Sequence, residues 1–277
     1  MNILNHPLFV ILIVVCVVGE WLYFRLYGKV KFNNYEAGSN LAIIGIDKLM
    51  VYTFGSDGTG LGLWLTQFRI FNWDFGLLWN GVITFIAVEF LYYATHWYNH
   101  HVNLGWCTHV VHHSPTQMNL TVGYRLGITR FISLGWMIFL PAVLLGFDPL
   151  MLAAFAGVVL LYQFFIHTEL VPPLGVLEYV FNTPSNHRVH HSGDPIHYNK
   201  NLGGFTMFFD HLFGTYQKEP AKGVQRYGIS EVMERKNLGH EIFFQWKTLV
   251  KSFMKTPGIK NKFFLLFKSP ETLESQK

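Results

Sequence analysis

The string His-x-x-His-His occurs twice in this chain, as HVVHH at 109–113 and HRVHH at 187–191. There are 14 histidines among 277 residues. Chance then supplies one such string about 0.04 times per chain, and two far more rarely, which is stronger than most short motifs. On a helix, positions i, i+3 and i+4 share a face, so each triplet is expected to aim three imidazoles at one locus. His96 and His100, spaced i and i+4, fall on another helix face, and His167 stands alone at the end of an apolar run. Neutral imidazole suits zinc, iron, copper or nickel, whereas magnesium and calcium prefer oxygen. One tetrahedral zinc takes three or four protein ligands. Eight or nine convergent histidines are too many for one ion and suit two.

The neighbourhood of these histidines supplies further candidates. Asn182-Thr183-Pro184 offers a cap residue followed by proline at the first helical position, so the HRVHH helix has a defined start. Gln163 lies one turn before His167 and is a candidate to reach a metal, directly or through water, or simply to pack. Glu89 lies seven residues before His96 and faces the same way. An acid inside an apolar helix marks a functional site, and a carboxylate often orients a ligating imidazole; a helix–helix hydrogen bond is the plain alternative. Glu169, Asn186 and Asp210 are further candidate supporting groups, and His197 a candidate for the lining. His6, His101, His211 and His240 read as ordinary core or surface residues.

Charge explains where this chemistry sits. Only 14% of the residues are charged and 51% are apolar, against about 25% charged in a typical soluble domain. Residues 7–26 are apolar enough to span a ~30 Å hydrocarbon core, and Arg25, Lys29 and Lys31 follow on the side expected to be cytoplasmic. Residues 40–71 read either as one crossing or as a re-entrant stretch. A clear arm covers 76–94. Runs 131–147 and 149–166 are split by Asp148-Pro149, which favours a break, so a helical hairpin is expected. Six of the histidines fall between 96 and 113, and four more between 187 and 197. Both segments flank that hairpin and so lie on one membrane face. From Tyr216 onward there are 12 Lys and Arg against 6 Asp and Glu, a bias that favours the cytoplasmic side. Asn119-Leu120-Thr121 is a glycosylation sequon, discounted because it falls on that same side. The two cysteines, 91 residues apart, form neither a CxxC pair nor a disulfide framework.

The expected architecture is an all-α polytopic membrane bundle. It has about four to five membrane helices and a cytoplasmic helical cap carrying the histidine boxes. The chain reads as a single domain over 1–277, with a histidine-box core at about 74–217 and a basic cytoplasmic tail at 218–277. Nucleic-acid binding poorly accounts for a net charge of +4 concentrated in such a tail.

The strings HWYNH, HVVHH, FFIHTE and NTPSNHRVHH, followed by NKNLGGFTMFFDHLFGTY, resemble the fatty acid hydroxylase/sterol desaturase superfamily of membrane histidine-box proteins. The likeness is strongest to its alkylglycerol monooxygenase-like branch, which shares the HTE element and the NTPSxHRVHH box. It covers about residues 74–217. The resemblance implies a non-haem diiron centre held by His96, His100, His109, His112, His113, His167, His187, His190 and His191. It further implies O2 as oxidant, two external electrons and a lipid C–H bond as the point of attack. Other branches carry HxxxH where this chain has Gln163 and His167, and the animal alkylglycerol monooxygenase continues into further membrane segments. No HPGG-type cytochrome b5 element is present, so the electron donor is expected to be separate, a redox protein or a pterin-like reductant. Lipid hydroxylation or monooxygenation is the leading expectation, on a fatty acyl, alkyl-glycerol or sterol-like substrate. Desaturation by the same site is the near rival. A His-rich metal-binding or transport protein is the rival from another class, but it would be expected to place ligands near the bilayer midplane. An intramembrane zinc protease would show HExxH, and the chain has none.

Overall fold

The computed structural model describes residues 7–28, 32–54, 59–229 and 237–274, and His6 lies outside them. Every regular element among the described residues is helical; strand-like pairing is limited to two isolated bridges, Phe181 with Thr206 and Ser192 with Tyr227. The principal helices are α1 (Pro7–Tyr27), α2 (Asn34–Phe54), α3 (Leu77–His101), α4 (Asn103–His113), α5 (Pro149–Ile166), α6 (Pro184–His190), α7 (Leu238–Lys255) and α8 (Ile259–Phe267).

Among the described residues, α3 and α5 are long and apolar enough to cross a bilayer, by length and composition. At ~1.5 Å per residue they run about 38 and 27 Å. They pack on each other through Val88, Leu91, Leu152 and Val159, with Phe85 edge-on to Phe155. Away from that seam they expose Leu77, Trp79, Ile86, Leu150 and Val158. Asp148 caps α5 by accepting from the N–H groups of Leu150 and Met151, both at 2.9 Å, and Pro149 opens the helix. The Asp-Pro pair therefore breaks the chain as expected.

The first arm of the expected hairpin is not one helix. Residues 131–147 divide into short pieces, Arg130–Ser133, Gly135–Phe139 and Leu140–Leu144. Leu134 sits at φ +63° between the first two. Pro141 has no N–H to give and restricts the residue before it. The Ser133 carbonyl instead accepts the Tyr98 hydroxyl at 2.7 Å. The broken arm packs sideways on α3 and α5 through Ala142 and Val143. Of the stretch 40–71, the first part forms α2, whose Glu36, Ser39, Asn40 and Asp47 are buried; residues 55–58 lie outside the described residues.

The segment beyond residue 237 packs closely on the rest of the chain. α7 and α8 bury Ile242, Leu249 and Leu265 against Val110 of α4 and its neighbours Val102 and Ile128. Asn103, at the start of α4, donates its N–H to Lys268 O (2.9 Å) and its amide to Leu265 O (2.8 Å). Glu241 on α7 pairs with Arg125 at 2.6 Å, both essentially buried. Arg125 also donates to Val111 O, Asn40 and Ser114, which fixes the end of the α4 histidine box. Removing one partner of such a pair strands the other charge and costs about 3–5 kcal/mol. Asn119 is buried, and its side-chain oxygen accepts from the Thr121 N–H and hydroxyl, so the sequon amide is not presented to solvent.

Candidate metal centre

The nine histidines implied as ligands gather into two clusters. His96, His100, His109, His113 and His190 form one; His112, His167, His187 and His191 form the other. Within each, the ring nitrogens lie within 4.8 Å of one another. The expectation that each triplet serves one locus is corrected. Helical rotation of ~100° per residue puts i and i+4 about 40° apart, with i+3 about 60° away on the other side. So His109 and His113 join the first cluster while His112 turns to the second. HRVHH does the reverse: His187 and His191 face the second cluster and His190 the first. The two loci therefore share both helices and are adjacent, with the His113 and His191 rings stacked at 4.4 Å across the boundary.

Hydrogen bonding fixes how the rings are presented. His96 Nδ1 lies 2.9 Å from Leu202 O, His190 Nδ1 2.9 Å from Lys200 O, and His167 Nδ1 2.5 Å from Gln163 O. A carbonyl only accepts, so each Nδ1 carries the proton and each Nε2 presents a lone pair. Those lone pairs converge: His167 Nε2 stands 2.8 Å from His187 Nε2 and 3.2 Å from His112 Nε2. The Nε2 atoms of His100, His190 and His191 are buried without a hydrogen-bond partner. Burial, the largest cause, holds His109, His112, His113, His187, His190 and His191 well below the usual histidine range, and pushes His167 down to about 3. Protonation is thus a costly way to relieve this crowding of lone pairs, and a metal cation relieves it directly. The donor set fits two imidazole-bound ions of the iron or zinc kind.

The supporting groups act through one loop, residues 199–207. Asp210 accepts from the N–H groups of Leu202 and Gly203, both at 2.7 Å, and from the Thr215 hydroxyl at 2.6 Å. Glu89 does not touch an imidazole. It accepts from the N–H groups of Phe205 (3.0 Å) and Thr206 (2.7 Å) and from the Thr206 hydroxyl. The Gln163 amide donates to the Gly204 carbonyl rather than turning toward a cluster. The chain must come very close here. A Cβ on Gly203 would strike the Thr206 carbonyl, and one on Gly204 would lie 2.7 Å from Val159 Cγ1. Asn199 and Asn201 take positive φ, which asparagine tolerates. The loop thereby delivers the Lys200 and Leu202 carbonyls to the first cluster.

The other candidates sit further out. Asn186 donates its amide to Glu178 O and Phe181 O, anchoring α6. Thr183 caps that helix and Pro184 opens it, as the sequence predicts. His197 is buried but bonds Ser192 and joins neither cluster. Glu169 is exposed. Sequence reasoning missed the Lys200 and Leu202 carbonyls, for which the only signal was the glycine pair at 203–204. It also missed the inward role of Glu20 on α1, which accepts from the Leu120 N–H (2.6 Å) and from the hydroxyl of Thr168 (2.5 Å), next to His167. A cavity of about 280 Å³ opens beside the first cluster, touching His100, His113 and His190, with Tyr198, Asn199 and Gln245 among its walls.

Residues 81–215 match the family model described as fatty acid hydroxylase, a span that holds both histidine clusters and the loop that orients them. Through this region the chain belongs to the fatty acid hydroxylase family. A human protein named alkylglycerol monooxygenase is 33% identical over 269 residues, 95% of this chain and 58% of its own length. Its Danio rerio namesake is 36% identical over 198 residues, 72% of this chain and 43% of its own. An ornithine lipid hydroxylase from Rhizobium tropici is 31% identical over 154 residues, 54% of this chain and 45% of its own. The chain thus spans about half the length of the curated relatives it matches. No solved structure matches it.

Proposed function

We propose that this single-domain chain is a membrane-bound lipid monooxygenase that holds two non-haem irons, one in each histidine cluster. The observation that carries the reading is the pair of adjacent, buried, neutral imidazole clusters whose Nε2 lone pairs converge. The relatives' names, alkylglycerol monooxygenase and ornithine lipid hydroxylase, support a lipid C–H bond as the target. When bound, the irons would activate O2, so that one oxygen atom enters a C–H bond and the other leaves as water with two electrons and two protons supplied from outside. His96, His100, His109, His113 and His190 would hold one ion, and His112, His167, His187 and His191 the other. The Leu202, Lys200 and Gln163 carbonyls keep the rings they bind in one tautomer and orientation, which raises ligand basicity. α3 and α5 meet the clusters at their C-terminal ends, so a lipid tail approaches along the arms. The cavity beside the first cluster offers a second approach for a separate electron donor. The basic bias of the C-terminal segment supports the cytoplasmic side for the clusters.

Anaerobic metal analysis of the detergent-purified chain, followed by incubation with host lipids under 18O2, tests this. About two irons per chain are expected, with one labelled oxygen in the lipid product. A double bond without label would make the enzyme a desaturase. Stoichiometric zinc with no O2 consumption would remove the redox reading and favour metal binding or transport.

A further inference from the structure

We propose that the C-terminal segment formed by α7 and α8 docks flat on an anionic lipid leaflet. α7 turns Glu241, Ile242, Gln245, Leu249 and Ser252 inward, an arc of about 100° at ~100° per residue. Its opposite side exposes Phe243, Val250 and Met254 by 41, 57 and 71%, a stripe about 40° wide. Lys247, Lys251 and Lys255 are exposed on one flank of that stripe, about 20, 60 and 100° beyond its edge. α8 repeats the arrangement. Leu265 faces inward, while Ile259, Phe263 and Phe267, spaced i, i+4 and i+8, are exposed, with Phe264 beside them. The Lys260 ammonium lies 6.0 Å over the Phe264 ring.

Charge decides what covers this face. Residues 237–268 contain six lysines and one acid. That acid is Glu241, whose carboxylate is turned inward onto Arg125, so the outward face carries positive charge only. A stripe of phenylalanine and aliphatic side chains flanked by lysine is the pattern of a helix lying in the headgroup region, where apolar side chains enter the acyl boundary and ammonium groups meet anionic lipids. α3 and α5 already bring the chain to a bilayer. On α7, Gln245 of the inner face and Phe244 of the lysine-bearing flank line the wall of the cavity beside His100, His113 and His190. Leaflet and cavity then meet different sides of one helix, and docking holds that wall in place.

The test uses the full chain in nanodiscs, in a Cys16→Ser background, with a bimane label at Met254→Cys, Phe264→Cys, Ile86→Cys on the exposed side of α3, or Lys222→Cys in an exposed loop. The discs are phosphatidylcholine alone or mixed with phosphatidylserine, with brominated lipid as the membrane quencher and iodide as the aqueous one. Brominated lipid is expected to quench the labels at 254, 264 and 86 but not at 222, more strongly at 254 and 264 when phosphatidylserine is present. Changing Lys247, Lys251, Lys255 and Lys260 together to glutamine is expected to raise iodide quenching at 264 severalfold in the anionic discs and to leave residue 86 unchanged. If 254 and 264 are quenched by iodide and not by lipid while 86 is quenched by lipid, the docking is overturned and a protein partner takes its place. Equal lipid quenching with and without phosphatidylserine overturns the anionic assignment.

Discussion

The two histidine clusters are built from the same two boxes, yet they are not equivalent. The five-histidine cluster borders the cavity through His100, His113 and His190, and His109 is half-buried. All four histidines of the other cluster are buried, and none lines that cavity. Their supports differ as well. Loop carbonyls presented by Asp210 and Glu89 orient the first cluster. The second leans on the Gln163 carbonyl and on Thr168, held by Glu20 of α1. Two ions in such sites would meet different access and different rigidity, although a repeated motif supplies both. The sharpest way to break this comparison is to remove one imidazole from each side. His190→Ala and His187→Ala are each expected to abolish lipid oxidation and to lower bound iron toward one per chain; metal analysis at constant protein mass reads this. His240→Ala, far from both clusters in sequence and on α7, is expected to keep both irons. Full iron in either cluster variant would dissolve the two-site division.

A smaller effect separates the supports. Asp210→Asn is expected to loosen the Leu202 and Gly203 amides and so release His96 from its carbonyl. Glu20→Gln is expected to weaken the hold on Thr168 beside His167. Changes to groups that orient metal ligands typically cost about 10- to 100-fold in metal affinity or activity. Chelator competition followed by Mössbauer spectroscopy of 57Fe-loaded protein reads which iron leaves first. Asp210→Asn should release the iron of the five-histidine cluster and Glu20→Gln that of the other. The same iron leaving first in both variants would show that the two supports are not separate.

That contrast also marks where the sequence was legible. Helix type, the Asp148 break and the Thr183-Pro184 start follow from local rules about caps and proline, and all appear in the fold. Eight of the nine histidines fall in helix spacings, which survive folding unchanged; His167 stands alone and came only with its place at the end of an apolar run and with the family resemblance. Their division five to four could not be read from the same spacing without the helical rotation that sends His112 and His190 across to the other locus. Main-chain carbonyls carry no residue identity, so the roles of Lys200 and Leu202 left no mark beyond the nearby glycines. Glu89 was placed on the correct face, but its partner is a loop more than a hundred residues away. The broken arm at 131–147 shows the same limit: its composition suits a span, while Leu134, Pro141 and the Tyr98 hydroxyl, which is brought there by α3, prevent one.

Gln163 gives the finest comparison, because it sits where a fifth imidazole would make the clusters equal. Its amide is spent on the Gly204 carbonyl, and its own main-chain oxygen receives His167 Nδ1. The side chain is therefore committed to the loop. Gln163→Leu keeps the bulk, deletes the donor and leaves the buried Gly204 carbonyl unpaired, for an expected loss of about 1–3 kcal/mol in thermal unfolding with metal content retained. Gln163→His keeps a donor and is expected to turn it to the same carbonyl, giving a smaller loss of stability and no gain in iron affinity at the four-histidine cluster. Tighter iron in the Gln163→His variant, read by the same chelator competition, would mean that position 163 points at the metal after all, and that the clusters differ by one side chain rather than by how the loop is tied.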